Sequence, residues 1–175
     1  MNPRVLPTLP SAFFGAIAAV ALLSGCSSAP PYVYHYVPGR TAVPQNGIAL
    51  TPPEAPERVA MAIAAGNRIA GLPYAYGGGH ANEFASGYDC SGATSFVLRE
   101  AGLLHGAMPS DAFRHYGESG PGKWISVYAR RGHVFLSVAG LRFDTGYNGD
   151  HASGPQWTTR SRPATGCVLR HPPGY

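Results

Sequence analysis

The apolar residues of this 175-residue chain change period part-way along, and that change limits the fold more than any other feature. Before Gly102 they recur at helical spacing, and after Pro121-Gly122 they alternate. Val59, Ile63, Gly66 and Ile69 share one helical stripe, with Pro56 suited to a first turn and Gly71 to a C-cap. A second helix is expected over 90–101, capped by Asp89, burying Phe96, Val97 and Ala101, and ended by Gly102. Segments 124–129, 132–138 and 141–145 read as three antiparallel strands, and 166–170 as one more. Helices first and a small antiparallel sheet afterwards predict an α+β domain.

Hydrophobic residues make up 45% of the chain and charged residues 13%, which supports one packed core and excludes wholesale disorder. The formal charge of +4 comes from scattered arginines, with no basic run or aromatic-interleaved stripe, so nucleic acid is not the expected partner. The expected state is a monomer.

Residues 1–25 read as a targeting segment: Arg4 gives a positive start, and the apolar run 13–23 is shorter than the roughly 20 residues a membrane-spanning helix needs. The run ends in Leu23-Ser24-Gly25-Cys26, which resembles the lipobox of bacterial lipoproteins. The resemblance implies lipidation at Cys26 and a membrane anchor in the cell envelope. Ser27 after the cysteine implies the outer membrane, facing the periplasm, where two membranes exist. The alternative is an ordinary signal peptide with Cys26 a bystander. Residues 26–53, rich in Pro, Ser and Tyr, read as a lipid-anchored tether with a maximal reach of about 80 Å at ~3.1 Å per residue. The alternating tyrosines of 32–36 offer a different outcome, a short strand packed on a domain spanning 54–175.

Asp89-Cys90-Ser91-Gly92 carries the clearest chemistry. A cysteine in the first turn of a helix has backbone N–H groups and the positive dipole end aimed at its sulfur, and both favour the nucleophilic thiolate. The small Ser91 and Gly92 are expected to let a substrate backbone come close. Two blander alternatives are a buried core cysteine and a disulfide with Cys167. No H-x-x-x-H or C-x-x-C spacing occurs, so no metal site is expected, and no cofactor is implied.

The segment 71–78 (Gly-Leu-Pro-Tyr-Ala-Tyr-Gly-Gly), then Asp89-Cys90-Ser91-Gly92, then Gly132-His133-Val134, resembles the order of motifs in NlpC/P60 cysteine peptidases. The resemblance covers roughly residues 56–145. It implies a papain-like fold, a peptidoglycan stem-peptide substrate, Cys90 as nucleophile, His133 as general base and a polar residue on the next strand to orient His133. It also implies substrate-binding roles for Tyr74 beside the cysteine and for Asp89 and Ser91, which would receive a free N-terminal amine. In place of the family's Pro-Gly-Asp-Leu strand stands Pro121-Gly122-Lys123-Trp124-Ile125, a departure that bears on the substrate pocket.

The third catalytic member can be sought from pairing geometry. A two-residue turn at Ala139-Gly140 sets Val138 opposite Leu141 and Phe135 opposite Asp144. His133 and Asp144 then lie diagonally on one face, within reach of a carboxylate–imidazole bond. A three-residue loop would reverse that parity, and the alternative for Asp144 is a surface residue paired with Arg142. His80, His105, His115, His151 and His171 are rivals of His133 for the base, but none is preceded by glycine and followed by an alternating apolar strand. The expected activity is cleavage of an amide in peptidoglycan stem peptides, foremost the γ-D-glutamyl–diamino-acid bond. The alternatives are an amidase of the CHAP type, cutting the lactyl–alanine link, and a non-catalytic lipoprotein that binds wall peptides in the same groove.

Overall fold

The structure, a computed structural model, describes Met1 and residues 28–81, 84–146 and 153–175. Cys26 and, Met1 apart, the expected leader lie outside the described residues. Helix α1 (Glu57–Ile69) follows Pro56 and buries Val59, Ala62, Ile63, Ala65, Gly66 and Ile69, a stripe at three-and-four spacing. Helix α2 (Cys90–Glu100) opens on Asp89, whose carboxylate accepts from the Gly92 amide at 2.7 Å. Among the described residues no helix is long and apolar enough to cross a membrane.

Strands β1 (Val43–Gln45) and β2 (Ile48–Leu50) form a hairpin. Six further strands follow: β3 (Glu118–Ser119), β4 (Ile125–Arg130), β5 (His133–Val138), β6 (Leu141–Asp144), β7 (Gln156–Thr158) and β8 (Val168–His171). They make one antiparallel sheet in the order β3-β8-β4-β5-β6-β7. The fold is α+β, with two helices and two antiparallel sheets. The four strands expected from alternation are β4, β5, β6 and β8. At two and three residues, β3 and β7 are too short to show a period.

Ala139 (φ 46°) and Gly140 (φ 76°) both adopt left-handed backbone, the two-residue turn that matches strand twist. The register is Val138↔Leu141, Ser137↔Arg142 and Leu136↔Phe143, as the turn length predicts. Parity sorts the side chains onto two faces. Val134, Leu136, Val138, Leu141 and Phe143 share a core with α1 and α2. Tyr128 and Phe135 stack on the other face at 4.6 Å, in a second cluster with Tyr32, Ala164 and Cys167.

The described part of the expected tether, 28–53, is a correction to the sequence reading, because it is folded onto the domain. Tyr32 is 3% exposed and pairs through its backbone with Arg162. Ala42 and Ala49 join the main core, and Asn67 of α1 bonds both the amide and the carbonyl of Ala49. Proline content did not prevent this, since a few well-placed apolar side chains outweigh the absence of a regular period. The Tyr32 hydroxyl donates to the Gly140 carbonyl at 2.8 Å and accepts from the Arg142 amide at 3.1 Å. Tyr32→Phe therefore leaves a buried amide unpaired, and thermal unfolding should show a loss of about 1–3 kcal/mol. An unchanged melting temperature would remove this strap from the list of stabilising elements.

Candidate active site

Cys90 is the first residue of α2, where backbone N–H groups lack partners within the helix. Its thiol and the ring of His133, the first residue of β5, line the same cavity, and the thiol is one of the groups that raise the His133 pKa. The other side of that ring is held by β6: His133 Nε2 lies 2.9 Å from Asp144 Oδ1. A carboxylate can only accept, so Nε2 carries the proton in that bond, and Nδ1 is the nitrogen left for the thiol. Cys90, His133 and Asp144 are thus brought together as the sequence predicts.

Asp144 is held by more than the ring. Its Oδ1 also accepts from the Thr145 amide at 2.8 Å, and its Oδ2 accepts from Arg162 Nη1 at 2.6 Å. Arg142 Nε stands 3.4 Å from the same oxygen, an ion pair without a hydrogen bond. Asp144 is therefore no surface residue; its side chain is wholly buried among three cation-forming groups. Burial pulls the pKa of His133 down, but the hydrogen bonds to Asp144 and Cys90, with their charges, outweigh it and the net shift is upward. The arrangement would stabilise an imidazolium at this position.

Tyr74, Cys90, His133, Arg130 and Arg162 line a cavity of about 230 Å³. A second hollow of about 470 Å³ shares Tyr74, Cys90 and Gly132 with it and continues past Tyr76, His80, Asp89 and Ser91. Cys90 thus stands where the two hollows of one groove meet. Burial raises the Tyr74 pKa above the ordinary tyrosine value, with the charges of Cys90 and Asp89 adding to it, so the phenol keeps its proton and can donate.

No family model, curated protein or solved structure matches the chain.

Asp89 is a cap and more. Its Oδ1 accepts from the Gly92 amide and the Ser91 hydroxyl, at 2.7 and 3.0 Å, and its Oδ2 from the Gly77 amide at 2.9 Å. His80 Nε2 completes the cluster, 3.2 Å from Asp89 Oδ1 and 3.1 Å from Ser91 Oγ. His80 thus serves Asp89 rather than Cys90. Its place just after the glycine loop was the signal available, and nothing in the sequence connected it to this carboxylate. Gly92 differs from expectation as well. A Cβ there would stand 1.9 Å from the Gly78 carbonyl oxygen, so its smallness admits the chain's own glycine loop rather than substrate. That loop delivers Tyr74 to the groove.

The two described cysteines are both free. Cys167 is buried in the second cluster, and burial pushes its thiol pKa up, so it is the inert member of the pair. Arg162 is the partner of Asp144 that sequence reasoning missed, and Arg142 was paired with Asp144 only in the surface alternative. Arg142 shares a face with Asp144, which could have nominated it; Arg162 lies in a segment with no period to read.

Proposed function

We propose that this chain is a cysteine peptidase of the NlpC/P60 type, with a papain-like fold, that hydrolyses an amide in peptidoglycan stem peptides. The observation that carries the reading is the Cys90–His133–Asp144 array at the junction of the groove, with the thiol at a helix start and the base held on its far side. Cys90 Sγ attacks the carbonyl carbon while His133 takes the thiol proton. The negative oxygen that develops is met by the Cys90 amide and the Tyr74 hydroxyl. The imidazolium passes its proton to the departing amine, leaving a thioester. Water, deprotonated by His133, then releases the acid and restores the thiol.

The motif resemblance supports stem peptides as substrate and the γ-D-glutamyl–diamino-acid bond as the one cut. Cys26 and the apolar run before it support export and lipid anchoring. The Ala29 amide bonds the Cys167 carbonyl at 2.9 Å, so the folded domain begins three residues after Cys26. Lipidation at Cys26 would leave about 10 Å of extended chain between the anchor and the first bonded residue of the domain, in place of a long tether.

Mass analysis of digested muropeptides tests the bond assignment. The expected products are L-Ala–γ-D-Glu fragments and peptides newly beginning at the diamino acid. Whole stem peptides released from glycan would point to the lactyl–alanine amidase reading, and no cleavage at all to a binding protein.

A further inference from the structure

The two halves of the groove differ in charge. On one side of Cys90 the lining is Tyr76, His80, Asp89 and Ser91, so that half contains a carboxylate. On the other side stand Arg130 and Arg162. The Asp144 carboxylate behind them has no exposed side-chain surface, and His133, Thr145, Arg142 and Arg162 occupy it. Its charge is met there by these ion pairs rather than by a ligand in the cavity.

Arg142 and Arg162 already outnumber that single carboxylate, and Arg130 adds a third guanidinium. Among the described residues Arg130 forms no ion pair. It is directly opposite His133 in the β4–β5 ladder, and directly opposed residues share a face of the sheet. An exposed guanidinium thus stands beside the general base, on the wall of the cavity that holds the nucleophile. A cleft with excess positive charge concentrates anionic ligands, and guanidinium matches a carboxylate in shape as well as charge.

Resting on the peptidase reading above, we propose that the arginine half of the groove is a carboxylate-binding subsite for the residue released as the leaving amine. The preferred leaving residue is then a diamino acid with free carboxylates, and its amidated form is a poor substrate. Arg130 is the specificity-determining residue. Arg162 contributes charge to the same wall while also holding Asp144.

Two measurements on the full folded domain test this, with Arg130→Gln as the variant, because Arg162 substitutions would also disturb Asp144. In the first, kcat/KM is compared for the tripeptide L-Ala–γ-D-Glu–diaminopimelate and for its analogue with both diaminopimelate carboxyls amidated. Wild type should favour the acid by about tenfold, the order expected for one charge-assisted contact, and R130Q should bring the two within about twofold. In the second, Cys90 is alkylated with iodoacetate and with iodoacetamide, which requires no peptidase activity. The iodoacetate-to-iodoacetamide rate ratio should fall severalfold in R130Q. A ratio unchanged by R130Q, or equal turnover of the two tripeptides by wild type, overturns the subsite. A ratio that falls in R130Q while neither tripeptide is cut keeps the carboxylate subsite and sinks the stem-peptide reading instead.

Discussion

Asp144→Asn is expected to lower kcat/KM on stem peptides by roughly three orders of magnitude, approaching the ~10⁴-fold loss seen when the group orienting a catalytic histidine loses its charge. An amide has one acceptor oxygen where the carboxylate has two. If that oxygen serves His133, an NH₂ group faces Arg162, donor against donor; if it serves Arg162, His133 loses its partner. The first arrangement keeps the tautomer but sets two donors against each other and removes the charge; the second removes the fixed tautomer that leaves Nδ1 for Cys90. The pH profile should move as well. Activity requires the imidazolium opposite the thiolate, so the alkaline limb follows deprotonation of His133. The bond and charge of Asp144 help raise that pKa, and without them the limb shifts to lower pH. Stability falls too, because Arg142 is 1% exposed and loses its counter-charge; a cost of about 3 kcal/mol is expected for breaking a buried pair. Rates should therefore be read at a temperature where circular dichroism shows the variant folded. Activity within threefold of wild type, with the alkaline limb in place, would mean that Asp144 serves the fold and not the base.

Much of this site was legible in the sequence because each of its parts rests on short-range geometry. Asp89 before Cys90 is a cap pattern, and a cap fixes the next residue at the helix start. Gly132-His133 followed by alternation fixes His133 at a strand start, and the two-residue turn at Ala139-Gly140 fixes the parity that joins it to Asp144. Contacts between distant segments were not legible. Arg162 reaches Asp144 from beyond β7, and Tyr32 reaches Gly140 and Arg142 across more than a hundred residues of chain. No local propensity encodes such meetings; they follow from which face of the sheet remains open once the helices cover the other. The same open face explains why the N-terminal segment lies down. Tyr128 and Phe135 leave an apolar surface that Tyr32 and Ala164 cover. Glycines were legible as turns but not as close contacts, and Gly92 against Gly78 is a packing requirement that appears only in three dimensions.

The thiol mechanism itself predicts the largest effect of all. Cys90→Ala removes one sulfur from a half-buried position, where alanine is a good helix former, so the fold should be retained with little change in melting temperature. His133, Asp144, Tyr74 and the groove all stay in place. Without the nucleophile no thioester can form, and what remains, positioning and oxyanion contacts, supports only a small residual rate. The decisive measurement is turnover of purified muropeptides by wild type and Cys90→Ala side by side, with circular dichroism on both. Loss of turnover by three orders of magnitude or more in a folded variant is the predicted result; a folded Cys90→Ala protein that still cuts the peptide would contradict the assignment of Cys90 as nucleophile.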